Sequence, residues 1–307
     1  MQHFYGLHDV SYEDAWLTIG AFDGFHIGHQ KIIEKLTAGA HAMGVPAVVL
    51  TFYPHPSRVI YGPSKSIYLT MPDRKAALLG ETGVDAVITY PFDAQAASMT
   101  AKDFIEKLCR HLNFTQLWIG YDFALGRNRE GDTQQLKDLG TKNDYELHTI
   151  EAFKLGDEIV SSTRIRGLLR NGAVFSAAEL LGRPHSVNGI VTRGDGRGKQ
   201  IGVPTANLAT HKSLIVPKEG VYACKVNLDG KNYKAVTNVG IRPTFETEPV
   251  PSRVEAYILD FDHDIYGKDI RIEFIKRLRD EQKFSNSEEL IRQIQTDIKE
   301  AQQIFDL

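Results

Sequence analysis

Apolar residues recur along this chain in two different rhythms. Up to about residue 182, short β-rich runs alternate with stretches of helical periodicity. The runs at 16–19 (Trp-Leu-Thr-Ile), 47–52 (Ala-Val-Val-Leu-Thr-Phe), 85–89 (Asp-Ala-Val-Ile-Thr) and 116–119 (Gln-Leu-Trp-Ile) read as strands. Gln30–Met43, Asp73–Glu81 and Ala101–Leu112 read as the helices between them. Continuous apolar strands alternating with helices predict an α/β unit, a parallel sheet with helices on both faces. Ligands of such sheets bind in the crevice at the carboxyl ends of the strands.

The rhythm changes after Gly182-Arg183-Pro184. Val187–Thr192, Val221–Leu228, Tyr233–Val239, Val254–Phe261 and Ile270–Phe274 read as strands joined by short turns. Asp229-Gly230 marks a two-residue hairpin, because such a turn needs positive φ. This pattern predicts an antiparallel β-barrel or sandwich. A closing helix opens on the capping-box form Ser285-Asn286-Ser287-Glu288 and aligns Leu290, Ile291, Ile294 and Ile298 on one face. No repeats and no low-complexity linker separate the parts. Two domains are expected, 1–182 and 183–307.

Composition narrows the function classes. The 307 residues, 42% of them hydrophobic, suffice for two ordinary cores. A net charge of −3 gives no support to a nucleic-acid surface. Met1–Tyr5 lacks the basic flank and apolar core of a secretory signal, and no apolar run is long enough to cross a bilayer. Cys109 and Cys224 lie far apart without metal-type spacing and read as free thiols. A cytoplasmic protein is expected, with oligomeric state left open.

The stretch Gly20-Ala21-Phe22-Asp23-Gly24-Phe25-His26-Ile27-Gly28-His29 follows the first of these strands. It reads as a glycine-punctuated turn opening a helix near His29. The unpaired N–H groups and dipole of a helix start attract phosphate, and His26 and His29 can both face that spot. Gly24 and Gly28 let backbone approach a ligand closely. The arrangement suits an enzyme that grips a nucleotide triphosphate. Farther on, Ser161-Ser162-Thr163-Arg164-Ile165-Arg166 offers a helix cap, hydroxyls for phosphate oxygens and, in Arg166, a planar fork of donors.

The G-x-F-D-G-x-H-x-G-H string resembles the signature of H-x-G-H nucleotidyltransferases, in the version found in bacterial bifunctional riboflavin kinase/FAD synthetases. S-S-T-x-x-R resembles their second signature. The resemblance implies a Rossmann-like domain in which Gly20, Phe22, Asp23, Gly24, Gly28, Ser161, Ser162 and Thr163 bind nucleotide. Thr51-Phe52-Tyr53-Pro54-His55-Pro56 resembles T-F-x-P-H-P and implies Phe52 and His55 at the mouth of the crevice. Gly120–Gly126 resembles G-x-D-F-x-F-G and implies that Asp122 contacts the flavin ring, with Leu125 where an aromatic is usual.

The second part carries its own signature. Gly194–Asn207 resembles the riboflavin kinase phosphate loop that ends in P-T-A-N. Gly194, Gly198, Lys199, Gly202 and Pro204 would shape an anion-binding loop, while Thr205 and Asn207 supply neutral oxygens suited to magnesium. Lys199 stands where the family usually has arginine, and Val203 where it has phenylalanine. Glu255 lies in a strand resembling the one that carries the kinase's catalytic base; its rival Asp260 is five residues on and faces the opposite side. The strand with Asn238 precedes it. Arg279 either helps enclose the flavin or forms a surface ion pair.

The resemblance spans nearly the whole chain. It implies that Glu255 serves phosphorylation of riboflavin by ATP to FMN. It further implies that His26, His29 and Arg166 stabilise charge while FMN attacks a second ATP to give FAD and pyrophosphate, with Mg2+ required by both halves. A kinase with a silent first domain, or a flavin-binding regulator, are the alternatives.

Overall fold

The computed structural model describes residues 1–62, 68–194, 198, 202–240 and 253–306. Their contacts divide into two compact units, Met1–Ser64 with Thr70–Ser161, and Lys65–Leu69 with Ser162–Leu307.

The first unit is built on β1 (Gln2–Phe4), β2 (Trp16–Ile19), β3 (Ala47–Tyr53), β4 (Ala86–Pro91), β5 (Gln116–Gly120) and β6 (Glu146–Ile150). All pair in parallel, in the order β1-β4-β3-β2-β5-β6. Its helices are α1 (Ile27–Ala42), α2 (Pro56–Tyr61), α3 (Pro72–Gly80), α4 (Ala94–Ser98), α5 (Ala101–Leu112) and α6 (Thr133–Asn143). Strand parity sorts the core into two layers. Leu17, Ile19, Val48, Leu50 and Ile88 pack with Phe104, Ile105, Leu108 and Leu136 on one face. Ala47, Val49 and Val87 pack with Ile33, Leu36, Ala76 and Leu79 of α1 and α3 on the other.

From β2 the chain steps to β3 and β4 on one side, then returns to β5 on the other. The switch point of the sheet therefore lies where β2 and β5 end side by side, which is where such sheets bind ligands. The four expected strands and three expected helices form within a few residues of their limits. The two outermost strands, β1 and β6, escaped the pattern because each is short and only partly buried.

A two-stranded ribbon, β7 (Lys154–Leu155) and β8 (Glu158–Ile159), closes the first unit. In the second unit α7 (Ser162–Arg170) and α8 (Val174–Leu181) precede β9 (His185–Thr192), β10 (Ala206–Thr210), β11 (Gly220–Leu228), β12 (Lys231–Gly240), β13 (Arg253–Ile258) and β14 (Asp269–Arg279). These six antiparallel strands form a closed barrel in the order β10-β13-β12-β11-β14-β9. Asp229 and Gly230 both have positive φ (49° and 82°), as the hairpin between β11 and β12 requires. β10 lay hidden inside the phosphate-loop motif. The expected boundary at 182–183 follows the change of strand pattern; the compact units part earlier, since α8 contacts β9 and β14.

The closing helix α9 (Ser287–Phe305) lies on the barrel wall, where Ile298, Ala301, Ile304 and Phe305 join Val221, Ala223 and Val236. Its cap is one residue later than expected. Asn286 Oδ1 accepts the Glu289 amide at 2.9 Å, and Glu289 Oε2 accepts the Ser285 amide at 3.2 Å. The box is thus Asn286–Glu289. Among the described residues no helix is long and apolar enough to cross a membrane.

Candidate active sites

The turn after β2 is the first site. Phe22, Gly24 and Phe25 have φ of 46°, 79° and 39°, so the chain doubles back tightly before α1. Phe22, Asp23, Gly24, Phe25 and His26 are all buried. Gly20 lies against the Phe22 ring, and a Cβ there would come within 2.8 Å of it. α1 begins at Ile27, two residues before the expected start, because His26 is itself the cap: its Nδ1 accepts the His29 amide at 3.3 Å. With Nδ1 accepting, the neutral His26 ring carries its proton on Nε2. The two imidazoles stack, 3.6 Å between centroids at 16°, and the Phe22 ring meets His29 edge-on at 5.2 Å. A Cβ on Gly28 would approach His26 Nδ1 to 3.2 Å, so glycine keeps that ring where it is.

Two more predicted segments lie at the same edge of the sheet. A Cβ added to Gly120, the last residue of β5, would sit 3.6 Å from Asp122 Oδ1 and 3.9 Å from Ile32 Cδ1 of α1. That contact sets the exposed Asp122 loop beside the α1 end of β2. The Asp122 carbonyl accepts Arg129 Nη2 at 2.8 Å. Leu125 faces inward, 7% exposed in the core, and so does not present a stacking surface. Phe52 is half-buried among Tyr90, Phe92 and Phe104. After the cis Tyr53–Pro54 peptide, His55 caps α2 by accepting the Ser57 amide at 3.2 Å. Ser161 ends the first unit, and Ser162, Thr163 and Arg166 lie on α7 in the second. Because α7 starts at Ser162, Arg166 falls in its second turn.

One residue of the first site was not expected. Lys75 on α3 is buried, and its Nζ donates to the Ala21 carbonyl at 2.8 Å and to Thr51 Oγ1 at 2.7 Å. Its signal was available in the sequence: it precedes Leu78 and Leu79 by three and four residues and so shares their apolar face.

The second site is set by strand register. Asn207 of β10 lies directly opposite Glu255 of β13, and Glu255 directly opposite Asn238 of β12. Directly opposed residues share a face, so the three polar side chains form one row across three strands. The row continues through Val221, opposite both Asn238 and Arg279. Alternate residues Val254, Ala256 and Ile258 are buried on the other face. The Glu255 row therefore belongs to the outer wall that α9 covers. Asp260 is exposed with φ 54° in the turn beyond β13, so it is off the strand altogether.

Between wall and helix lies a cavity of about 470 Å³. Its polar lining includes Glu255, Asn238, Thr205, Arg279 and Glu281, whose Oε1 accepts Asn238 Nδ2 at 3.3 Å; Val203, Val236, Tyr257, Phe284, Leu290 and Ile294 provide an apolar slot. Gly194 and Gly198 lie close to its polar end. A Cβ on Gly198 would meet the Val203 carbonyl at 2.4 Å and stand 3.4 Å from Thr205 Oγ1. A Cβ on Gly194 would overlap the Asn207 amide at 2.2 Å. Only glycine fits at these two positions beside Thr205 and Asn207. Gly202 turns with φ 78° just before Pro204. Lys199 lies outside the described residues, as does the chain that follows Asn238-Val239-Gly240. No cluster of three or more His, Cys, Asp or Glu able to hold a metal occurs among the described residues. The neutral oxygens of Thr205 and Asn207 instead fit a magnesium ion that keeps waters and shares nucleotide phosphates.

Arg279 makes a buried ion pair rather than a surface one. Its Nε and Nη2 reach both oxygens of Asp297 on α9 at 2.7–3.1 Å, and Gln293 Nε2 also donates to Asp297 at 2.9 Å. The side chains are 16% and 3% exposed. The pair ties α9 to β14 along one edge of the cavity. Arg279→Met strands the Asp297 carboxylate, which is expected to cost about 3–5 kcal/mol in chemical denaturation of the barrel unit. The riboflavin KM should rise with it.

Comparison with known proteins yields the same two parts in the same order. Residues 9–164 match the FAD synthetase family and residues 181–305 the riboflavin kinase family. The bifunctional riboflavin kinase/FMN adenylyltransferase of Bacillus subtilis is 37% identical over 94% of this chain and 92% of its own. The protein of the same description from Escherichia coli is 35% identical, over 98% and 97%. A Streptococcus pneumoniae crystal structure described as a macrolide-efflux protein shares the fold, with a TM-score of 0.88, 29% identity and 98% coverage of both chains.

Proposed function

The chain belongs to the bifunctional riboflavin kinase/FMN adenylyltransferase family, and we propose that Glu255 on the barrel wall and the His26–His29 pair at the head of α1 carry its two reactions. It phosphorylates riboflavin with ATP to FMN, then adenylylates FMN with ATP to FAD. The row Asn207–Glu255–Asn238, aligned by strand register over a cavity with an apolar slot, is the observation that most supports the residue assignment.

In the kinase half, the flavin ring occupies the apolar slot and extends its ribityl chain toward the wall. Glu255 accepts the proton of the 5′-hydroxyl as its oxygen attacks the γ-phosphorus of ATP, and ADP departs. A carboxylate on a strand paired on both sides is held rigidly enough to meet that proton. The glycine-rich segment that ends at Thr205 and Asn207 receives the phosphates, and those two side-chain oxygens would hold a magnesium ion. Magnesium supplies charge neutralisation across the transferred phosphoryl group.

In the adenylyltransferase half, which we assign to residues 1–182, the FMN phosphate is already ionised at neutral pH and needs no strong base. Its oxygen attacks the α-phosphorus of ATP and pyrophosphate leaves. His26, His29 and the positive end of the α1 dipole stabilise the charge that builds on the phosphates. Arg166 is assigned to the same step from its motif. Asp122 and His55, in the loops after β5 and β3, border the crevice where flavin and nucleotide enter. The enzyme acts on small molecules in the cytoplasm.

Both halves are expected to stop when magnesium is chelated and to recover together when it is restored. Incubation with riboflavin, ATP and magnesium, followed chromatographically, should show FMN rising and then giving way to FAD. FMN alone would leave a kinase with a silent first domain. Unchanged riboflavin, together with no FAD from FMN, would leave a flavin-binding regulator.

A further inference from the structure

Lys75 is a buried cation at the root of the first site, 5% exposed on α3. Lysine is rarely buried without a specific task for its ammonium. Here Nζ donates to the Ala21 carbonyl and to Thr51 Oγ1, and Thr51 Oγ1 itself donates to the same carbonyl at 3.0 Å. The Asp23 carboxylate attracts the ammonium. Asp23 Oδ1 in turn accepts the Thr70 amide at 3.2 Å, and Thr70 Oγ1 accepts the Gly24 amide at 3.1 Å. The ammonium thus joins α3 to the turn after β2 and to β3, and Asp23 and Gly24 of that turn bind the lead-in to α3 through Thr70. The turn it holds contains two phenylalanines with positive φ, a conformation that costs energy in every residue with a Cβ. Such a backbone keeps its shape only when its surroundings enforce it.

We propose that Lys75 is a positioning residue for adenylyl transfer, its ammonium holding the Ala21–Gly24 turn in the shape that sets His26 and His29 against the nucleotide phosphates. This rests on the assignment of that turn to the adenylyltransferase reaction. Lys75 itself lies below the turn and acts through it.

Burial pushes the Lys75 ammonium down to about 8, with Asp23 opposing the shift. The other charged groups near it are His3 of β1, held low mainly by burial and further by Lys75, and Asp73 of α3, which acts on His3 in the opposite sense. Above about pH 8 the cation is lost, and with it the pull between Lys75 and Asp23. FAD formation is therefore expected to fall along an alkaline limb near that pH. Stability moves the other way. The folded pKa lies below the ordinary lysine value of 10.5, so between about 8 and 10.5 the unfolded chain binds the extra proton and this group's contribution to stability rises with pH. A merely structural lysine would not separate activity from stability in this manner.

The test is Lys75→Met in the full-length chain, with both reactions and the melting temperature measured from pH 6.5 to 9.5. The variant should lose at least tenfold in kcat for FAD formation from FMN. Its riboflavin phosphorylation and its melting temperature at pH 7 should match the parent, and its alkaline limb should vanish. The parent should gain stability relative to the variant from pH 8 upward. FAD formation within twofold of the parent overturns the proposal, as does a parallel loss of both activities and of stability. If Lys75→Met does not fold, Thr51→Val decides: a three- to tenfold loss of FAD formation alone supports the proposal, and no loss overturns it. His29→Ala runs beside them. If it still makes FAD, the site assignment itself is wrong; if it is dead while Lys75→Met is normal, only this inference fails.

Discussion

Glu255→Gln is expected to reduce riboflavin phosphorylation by about 10²–10⁴-fold, the range typical of a lost general base, while FAD formation from supplied FMN continues at the parent rate. The substitution is nearly isosteric and keeps the β13 pairing on both sides. Glu255 sits between two asparagines, Asn207 and Asn238, so an amide finds hydrogen-bonding neighbours in the same row. The fold should therefore survive, and the loss should appear in kcat with riboflavin KM little changed. Riboflavin phosphorylation at the parent rate would remove Glu255 from the reaction and leave no carboxylate in the Asn207–Asn238 row. Asp260→Asn serves as the control: its exposed position in the turn beyond the strand predicts no effect on either reaction.

His29→Ala should act on the opposite half. Loss of one preorganised donor to developing charge lowers kcat by about 10²–10³-fold, here in FAD formation, with FMN formation untouched. His29 is a cleaner target than His26 because the α1 cap uses only its main-chain amide, which alanine retains. His26→Ala removes the cap as well and adds about 1 kcal/mol of helix destabilisation. Comparing the two variants separates chemistry from capping. Equal FAD rates in His29→Ala and the parent would transfer the charge-stabilising role to the α1 amides and Arg166.

Much of both sites could be read directly in the chain, and the reasons differ between them. The H-x-G-H string is local. A cap, a turn and two histidines three residues apart lie within one helical turn, so spacing alone predicts that the rings come together, and the rings do stack. The kinase site is not local. Asn207, Asn238 and Glu255 lie on three different strands, and their meeting depends on the register of β10, β13 and β12. Period-2 alternation says which residues share a face of one strand, but not which residue of the next strand lies opposite. The resemblance singled out these residues; the barrel aligns them.

Arg279 shows the same limit from another side. The sequence left an enclosing role and a surface ion pair equally open, since a lone arginine at a strand end suits both. The packing of α9 chose a third arrangement, in which the pair is buried and also borders the cavity. A lysine beside Asp73 and Arg74, such as Lys75, reads along the chain as part of a solvated helix start. Its burial follows from where α3 lands on the sheet, beside β4, so that the lysine side chain reaches Thr51 of β3 and the turn after β2.

Periodicity and nearest-neighbour patterns along the chain carry the two-part organisation, the parallel and antiparallel classes of the two sheets and the local head of α1, while the motifs carry the resemblance to the family. Long-range packing adds the rest. It brings the weak β1 and β6 into the first sheet, selects the closed barrel from the two antiparallel forms that the strand pattern allows, sets Asn207, Glu255 and Asn238 in one row, and buries Lys75 beneath the histidine turn. Those outcomes depend on contacts between distant segments, whose partners are chosen by packing and strand register rather than by any pattern along the chain.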